Sequence, residues 1–151
     1  MESANYLFPV RVEWPGDGKR VLATVGGKEP IEIATPPEFE GGIPGVWSPE
    51  EFFVASAASC FAVTLVGIAA KSRVPLYALS VDGVGIVGRR DEDGKVAFLE
   101  VELGVAVETD EEHVANIRKA ADRAERYCLV GLSIAVPVRV YATVNVTQHV
   151  A

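Results

Sequence analysis

Two thiols carry most of the chemistry that this chain offers. Cys60 lies in Ser48-Pro49-Glu50-Glu51-Phe52-Phe53-Val54-Ala55-Ser56-Ala57-Ala58-Ser59-Cys60-Phe61, and Cys128 lies in Glu125-Arg126-Tyr127-Cys128-Leu129. A free thiol has a pKa near 8.5, so only a few per cent is thiolate at neutral pH. The thiolate attacks the O–O bond of a peroxide and becomes a sulfenic acid. A second thiol then condenses with that acid, expels water and leaves a disulfide. Cys60 and Cys128 divide these roles if the fold brings their Cα atoms within ~7 Å. Burial alone raises a thiol pKa, so reactivity also requires a nearby cation or hydrogen-bond donor. An inert reading stands beside this one. Cysteine is among the most buried residue types, and Ala57, Ala58, Phe61 and Ala62 around Cys60 are core material.

Glu50 is the nearest acid of interest, although acids in a first helical turn also meet the helix dipole favourably. Ten residues separate it from Cys60, about 15 Å along a straight helix. Glu50 therefore serves that thiol only if a second subunit presents it, and a catalytic Glu50 entails a dimer. His113 and His149 have no metal-ligand spacing with each other or with the cysteines, so no metal site is expected. No GxSxG, Walker or GxGxxG motif precedes a helix. Gly83 and Gly85 sit inside a strand pattern, which excludes a phosphate cradle there.

The elements that must position these groups are legible in order. Tyr6 to Trp14 reads as a strand, and Pro15-Gly16-Asp17-Gly18 as a turn. Val21 to Val25 and Pro30 to Ala34 complete a β-meander. An irregular loop through Gly41-Gly42 and Pro44-Gly45 then leads into a helix. Ser48 as N-cap, Pro49 at the first position and Glu51 in a Ser-x-x-Glu box mark its start. It runs to Lys71 or Ser72, because Pro75 disfavours helical geometry at Val74. Its apolar surface goes nearly all round, which predicts burial on most sides. A hairpin follows, with strands around Leu79–Arg90 and Val96–Val107 joined at Asp91-Glu92-Asp93-Gly94. Thr109-Asp110-Glu111-Glu112 repeats the capping-box pattern before a helix whose stripe is Val114, Ile117, Ala121 and Ala124. Cys128 to Ser133 forms a short further helix, and Pro137 to Val146 a final strand. The order β-β-β-α-β-β-α-β predicts an α+β domain spanning 1–151, with helices on antiparallel sheet.

Composition narrows the setting. At 151 residues and 49% apolar, with a mean hydropathy of +0.22, the chain can bury one core. Fourteen basic against twenty-one acidic residues give a net charge of −7, which argues against nucleic acid. Phe52 to Ala70 carries no charge and would reach almost 30 Å as a helix at ~1.5 Å per residue. Its Ala, Ser, Thr and Gly content favours close packing over lipid, so no membrane span is expected. The start Met1-Glu2-Ser3-Ala4-Asn5 is not that of a secretory signal, and a cytoplasmic setting follows.

The chain resembles the OsmC/Ohr family. The resemblance rests on Thr35-Pro36-Pro37-Glu38-Phe39 with Gly41-Gly42, on Ser48-Pro49-Glu50-Glu51 ahead of Ser59-Cys60-Phe61, and on Tyr127-Cys128. It implies an intertwined homodimer in which antiparallel sheets pack on a central buried helix and the sites lie at the interface. It also implies a cysteine peroxidase for organic hydroperoxides, regenerated by a dithiol reductant, with no cofactor and no metal. By position, Cys60 is then the peroxidatic thiol, Cys128 the resolving thiol, and Glu50 the acid that organises an activating arginine. No arginine lies between Thr35 and Ser48, so Arg20, favoured over Arg11, is the expected substitute. Leu129 stands where the peroxidase branch commonly has proline. These departures leave open a non-catalytic OsmC-like dimer that binds a small apolar ligand, or a redox sensor.

Overall fold

The computed structural model describes residues 4–147, and the chain clusters into two compact units, Met1–Phe52 and Phe53–Ala151. The first unit is a three-stranded antiparallel meander of β1 (Arg11–Glu13), β2 (Arg20–Thr24) and β3 (Ile31–Ala34). Val12 pairs with Ala23, and Val21 with Ile33. The first strand is shorter than its composition predicts. Pro9 removes a ladder donor, and the segment before it is not paired, with Leu7 and Phe8 more than four-fifths exposed.

The loop after β3 is folded tightly on itself. A Cβ at Gly42 would lie 2.1 Å from the Pro36 carbonyl oxygen, so only glycine allows this approach. The loop delivers Ser48 to the start of α1 (Pro49–Lys71), whose first turn contains the boundary between the units. The capping box forms as its spacing predicts. The Glu51 amide donates to Ser48 Oγ at 3.1 Å, and the Ser48 amide donates to Glu51 Oε2 at 2.8 Å.

The second unit holds a sheet in the order β4-β5-β6, made of β4 (Ala78–Arg89), β5 (Val96–Thr109) and β6 (Val138–Val146). β4 and β5 form the expected hairpin, with an irregularity at Ile86/Val87. β6 runs parallel to β5, pairing Leu103 with Val140 and Val105 with Ala142. The expectation of antiparallel sheets is corrected here. Between β5 and β6 the chain passes through α2 (Val114–Tyr127) and α3 (Leu129–Ser133). Such a helical crossover returns a strand in the same direction.

One core unites these elements. The inward residues of β5 (Val101, Leu103, Val105, Val107) alternate with Glu100 and Glu102. They meet Ile117, Ala121 and Ala124 of α2 and Ala57, Phe61, Leu65 and Ala69 of α1. Those four α1 residues recur every four positions and make a single buried stripe, while Val63 and Val66 are exposed. Burial on most sides of α1 is thus not found within one chain. By length and composition alone α1 is long and apolar enough to cross a membrane.

The second capping box does not form. Thr109 ends β5, fully buried, and its hydroxyl donates to the Pro75 carbonyl at 2.6 Å. A 3-10 turn (Glu111–His113) precedes α2, and neither has a side-chain cap.

Gly83 and Gly85 explain how α1 comes so close to β4. A Cβ at Gly83 would lie 2.7 Å from a Val54 methyl, and one at Gly85 2.5 Å from the Phe98 ring and 2.6 Å from Val54. Gly85→Ala is therefore expected to destabilise the protein by about 1–3 kcal/mol, read as a lower denaturant midpoint at unchanged slope. At the other end of α1, Arg73 takes a left-handed conformation (φ 55) in a Schellman turn: the Val74 amide donates to Ala69, and the Arg73 amide to Ala70. Replacing this side chain by glycine relieves a Cβ clash worth about 1 kcal/mol. Arg73→Gly should raise the thermal midpoint by a few degrees.

Candidate functional site

The site is built where α3 begins. The first N–H groups of a helix have no intrahelical partner. In α3 those of Leu129 and Val130 are donors to the Cys60 sulfur, which α1 carries on a half-buried position. Thr64, one turn further along α1, donates its hydroxyl to the same sulfur, and the Cys128 thiol is a further donor. Burial works against the Cys60 thiolate. The donors outweigh it, in the order Val130, Cys128, Thr64 and Leu129, and the Cys60 pKa falls below the ordinary cysteine value.

Cys128 behaves in the opposite sense. It follows α2 as the N-cap of α3 and is buried. Burial raises its pKa. The Gly131 and Val130 amides oppose that rise, but hydrogen bonding to Cys60 and the negative charge there reinforce it. The two sulfurs therefore share one hydrogen-bonded site. Cys60 is disposed to ionise and Cys128 to keep its proton. This brings together the two thiols named from sequence.

The remaining named residues are placed as follows. Glu50 lies in the first turn of α1, but the cap is made by Glu51 alone. Glu50 Oε2 is buried and has no hydrogen-bond partner among the described residues. α1 is unbroken between Glu50 and Cys60, so their ten-residue spacing stands. Arg20 lies in β2 of the first unit. Its guanidinium donates to Asp17 at 3.3 Å and to Glu32 at 3.2 Å, and the Asp17 bond first, then the charges of both acids, raise its pKa.

Sequence reasoning missed the donors that matter most at Cys60. Thr64 carried a usable signal, since i and i+4 share a helix face. The amides of Leu129 and Val130 carried none beyond the short helix itself, because a backbone N–H has no residue signature.

His113 does have acidic neighbours, which the search for histidine and cysteine spacings overlooked. Its Nδ1 lies 3.6 Å from Asp110 Oδ2 and 3.8 Å from Glu112 Oε1. The three offer ligand atoms within 4.8 Å of one another, and Asp110 also accepts the Tyr77 hydroxyl at 3.0 Å. His149 lies outside the described residues.

Removing the Thr64 hydroxyl should cost the thiolate one hydrogen bond of about 1 kcal/mol. In Thr64→Val, the rate of iodoacetamide alkylation at Cys60 at pH 7 should fall about fivefold, with Cys128 unaffected. Peptide mass spectrometry of timed samples checks this.

Comparison with known proteins gives a consistent picture. The profile of the family described as OsmC-like protein matches residues 42–142. An uncharacterized protein of Bacillus subtilis, YmaD, is 24% identical over 135 residues, covering 87% of this chain and 88% of its own. The structure of an OsmC-like protein of unknown function from Vibrio cholerae, VCA0330, superposes with a TM-score of 0.83 at 21% identity, over 92% of this chain and all of that one. An organic hydroperoxide resistance protein from Elizabethkingia anophelis superposes with a TM-score of 0.76 at 16% identity, over 97% of this chain and all of that one. At these identities the solved structures establish the α+β fold.

Proposed function

The chain belongs to the OsmC-like protein family, and from that premise and the geometry of its two thiols we propose that it is a cytoplasmic, homodimeric peroxidase for organic hydroperoxides. The observation that carries the proposal is the Cys60 sulfur, held toward the thiolate by four donors, one of which is the Cys128 thiol. In the proposed cycle the Cys60 thiolate attacks the terminal peroxide oxygen and the O–O bond breaks. The alkoxide leaves with a proton as an alcohol, and Cys60 becomes a sulfenic acid. Cys128 attacks that sulfur, hydroxide leaves as water, and a disulfide forms. A dithiol returns both sulfurs to the reduced state.

The second subunit enters through Glu50. Its buried oxygen, without a hydrogen-bond partner among the described residues, supports a role in holding a cation. Arg20 is the proposed cation. Its present partners, Asp17 and Glu32, are solvent-screened surface acids, so re-pairing with Glu50 is cheap. The exposed side of α1, with Val63 and Val66, supports the same partner subunit, because a bare apolar helix face favours burial.

Cumene hydroperoxide should consume both thiols of the wild type, and Cys60→Ser should abolish turnover. Unchanged turnover in that variant would refute the assignment. Cys128→Ser should keep one rapid oxidation per site and stall as the sulfenic acid. Sedimentation should give twice the 16.1 kDa chain mass, and Val63→Glu should weaken the dimer more than tenfold.

A second reading has its own support. An apolar cleft of about 280 Å³ adjoins Cys128, which suits a non-catalytic dimer that retains a small apolar ligand. Ligand co-purifying with the protein, together with peroxide reactivity no faster than that of a free thiol, would favour it.

A further inference from the structure

Three side chains converge at the junction of β5 and α2. Asp110 follows β5, and Glu112 and His113 belong to the 3-10 turn that leads into α2. The His113 amide donates to the Asp110 carbonyl at 3.0 Å, which closes the turn and gathers the side chains. His113 Nδ1 is buried and has no hydrogen-bond partner among the described residues. It nevertheless lies 3.6 Å from Asp110 Oδ2 and 3.8 Å from Glu112 Oε1. Buried polar atoms are nearly always paired, so this nitrogen calls for a partner.

An imidazolium between two carboxylates is the ordinary explanation. Its charge-assisted hydrogen bonds would close to about 2.7–2.9 Å, and neither carboxylate comes so near. The spacing matches ligand atoms around one ion instead. A tetrahedral zinc site with arms of ~2.0–2.2 Å has ligand-to-ligand edges of about 3.3–3.6 Å. All three ligand atoms lie within 4.8 Å of one another. The Tyr77 hydroxyl donates to Asp110 Oδ2 at 3.0 Å, and such outer partners orient the carboxylates of metal sites.

We propose that His113 Nδ1, Asp110 Oδ2 and Glu112 Oε1 form a zinc site that ties the end of β5 to the start of α2. The donor set selects the ion. An imidazole nitrogen suits zinc, whereas magnesium prefers oxygen ligands in a near-ideal octahedron. Two carboxylates balance the double charge, and a chain of net charge −7 favours cations. Three protein ligands leave the fourth position to water. Neither the 3-10 turn nor α2 has a side-chain cap, so the ion supplies a clamp that this helix start lacks. Neither thiol takes part.

The test is calorimetric titration with zinc chloride of the full chain carrying Cys60→Ser and Cys128→Ser, so that no thiol competes. One ion should bind per chain. Adding His113→Gln should weaken binding about a hundredfold, and Glu112→Gln at least tenfold. The Glu112 side chain is 81% exposed, so that variant tests the ligand and not the fold. No binding in the parent, or unchanged affinity in either variant, overturns the site. In the wild-type chain each substitution should remove one bound ion, and an undiminished count likewise overturns it. Zinc should raise the thermal midpoint of the parent but not that of the His113→Gln variant, and an equal rise in both contradicts the clamp. Magnesium that displaces zinc at equal concentration overturns the choice of ion.

Discussion

The account depends on the hydrogen bonds that converge on the Cys60 sulfur. Burial penalises a thiolate, and at Cys60 that penalty is the largest single influence. What reverses it is a set of donors, two of them backbone amides at the start of α3. These amides need partners, since the first turn of any helix leaves its N–H groups unpaired. The sulfur satisfies them, and they in turn stabilise its charge. Cys128 sits at the hinge of this arrangement, as N-cap of α3 and as donor to Cys60.

The rest of the second unit holds the two halves of that contact in place. α1 lies close on β4 because Gly83 and Gly85 leave room for Val54. Phe53 stacks on Phe98 at 4.4 Å beside the same glycines. The crossover from β5 through α2 and α3 to a parallel β6 fixes where α3 begins. A chain with the same residues and a looser α1–β4 contact would keep both thiols and lose their meeting.

Local features of the fold were the legible ones. The Ser48–Glu51 box, the extent of α1, the β4–β5 hairpin and the buried stripe of α2 all depend on neighbours within a few residues. Thr109 offered the same box pattern and did not use it, because its hydroxyl lies in a buried strand end and reaches Pro75, 34 residues away. The direction of β6 is likewise settled by its partner β5 and not by its own residues. At the site, residue types marked the two thiols and Glu50 as candidates, and the chemistry of a buried thiol called for a cation or a hydrogen-bond donor beside Cys60. The donors that do the work include main-chain amides, which any sequence possesses and no residue type marks.

The central claim is that Cys60 ionises more readily than an ordinary cysteine because of those donors. Titration of thiolate absorbance at 240 nm in the folded Cys128→Ser protein, which keeps a hydroxyl donor in place of the thiol, tests it most directly. The account predicts an inflection below that of the same protein unfolded in urea, where the ordinary cysteine value returns. An inflection at or above that value in the folded protein would contradict it.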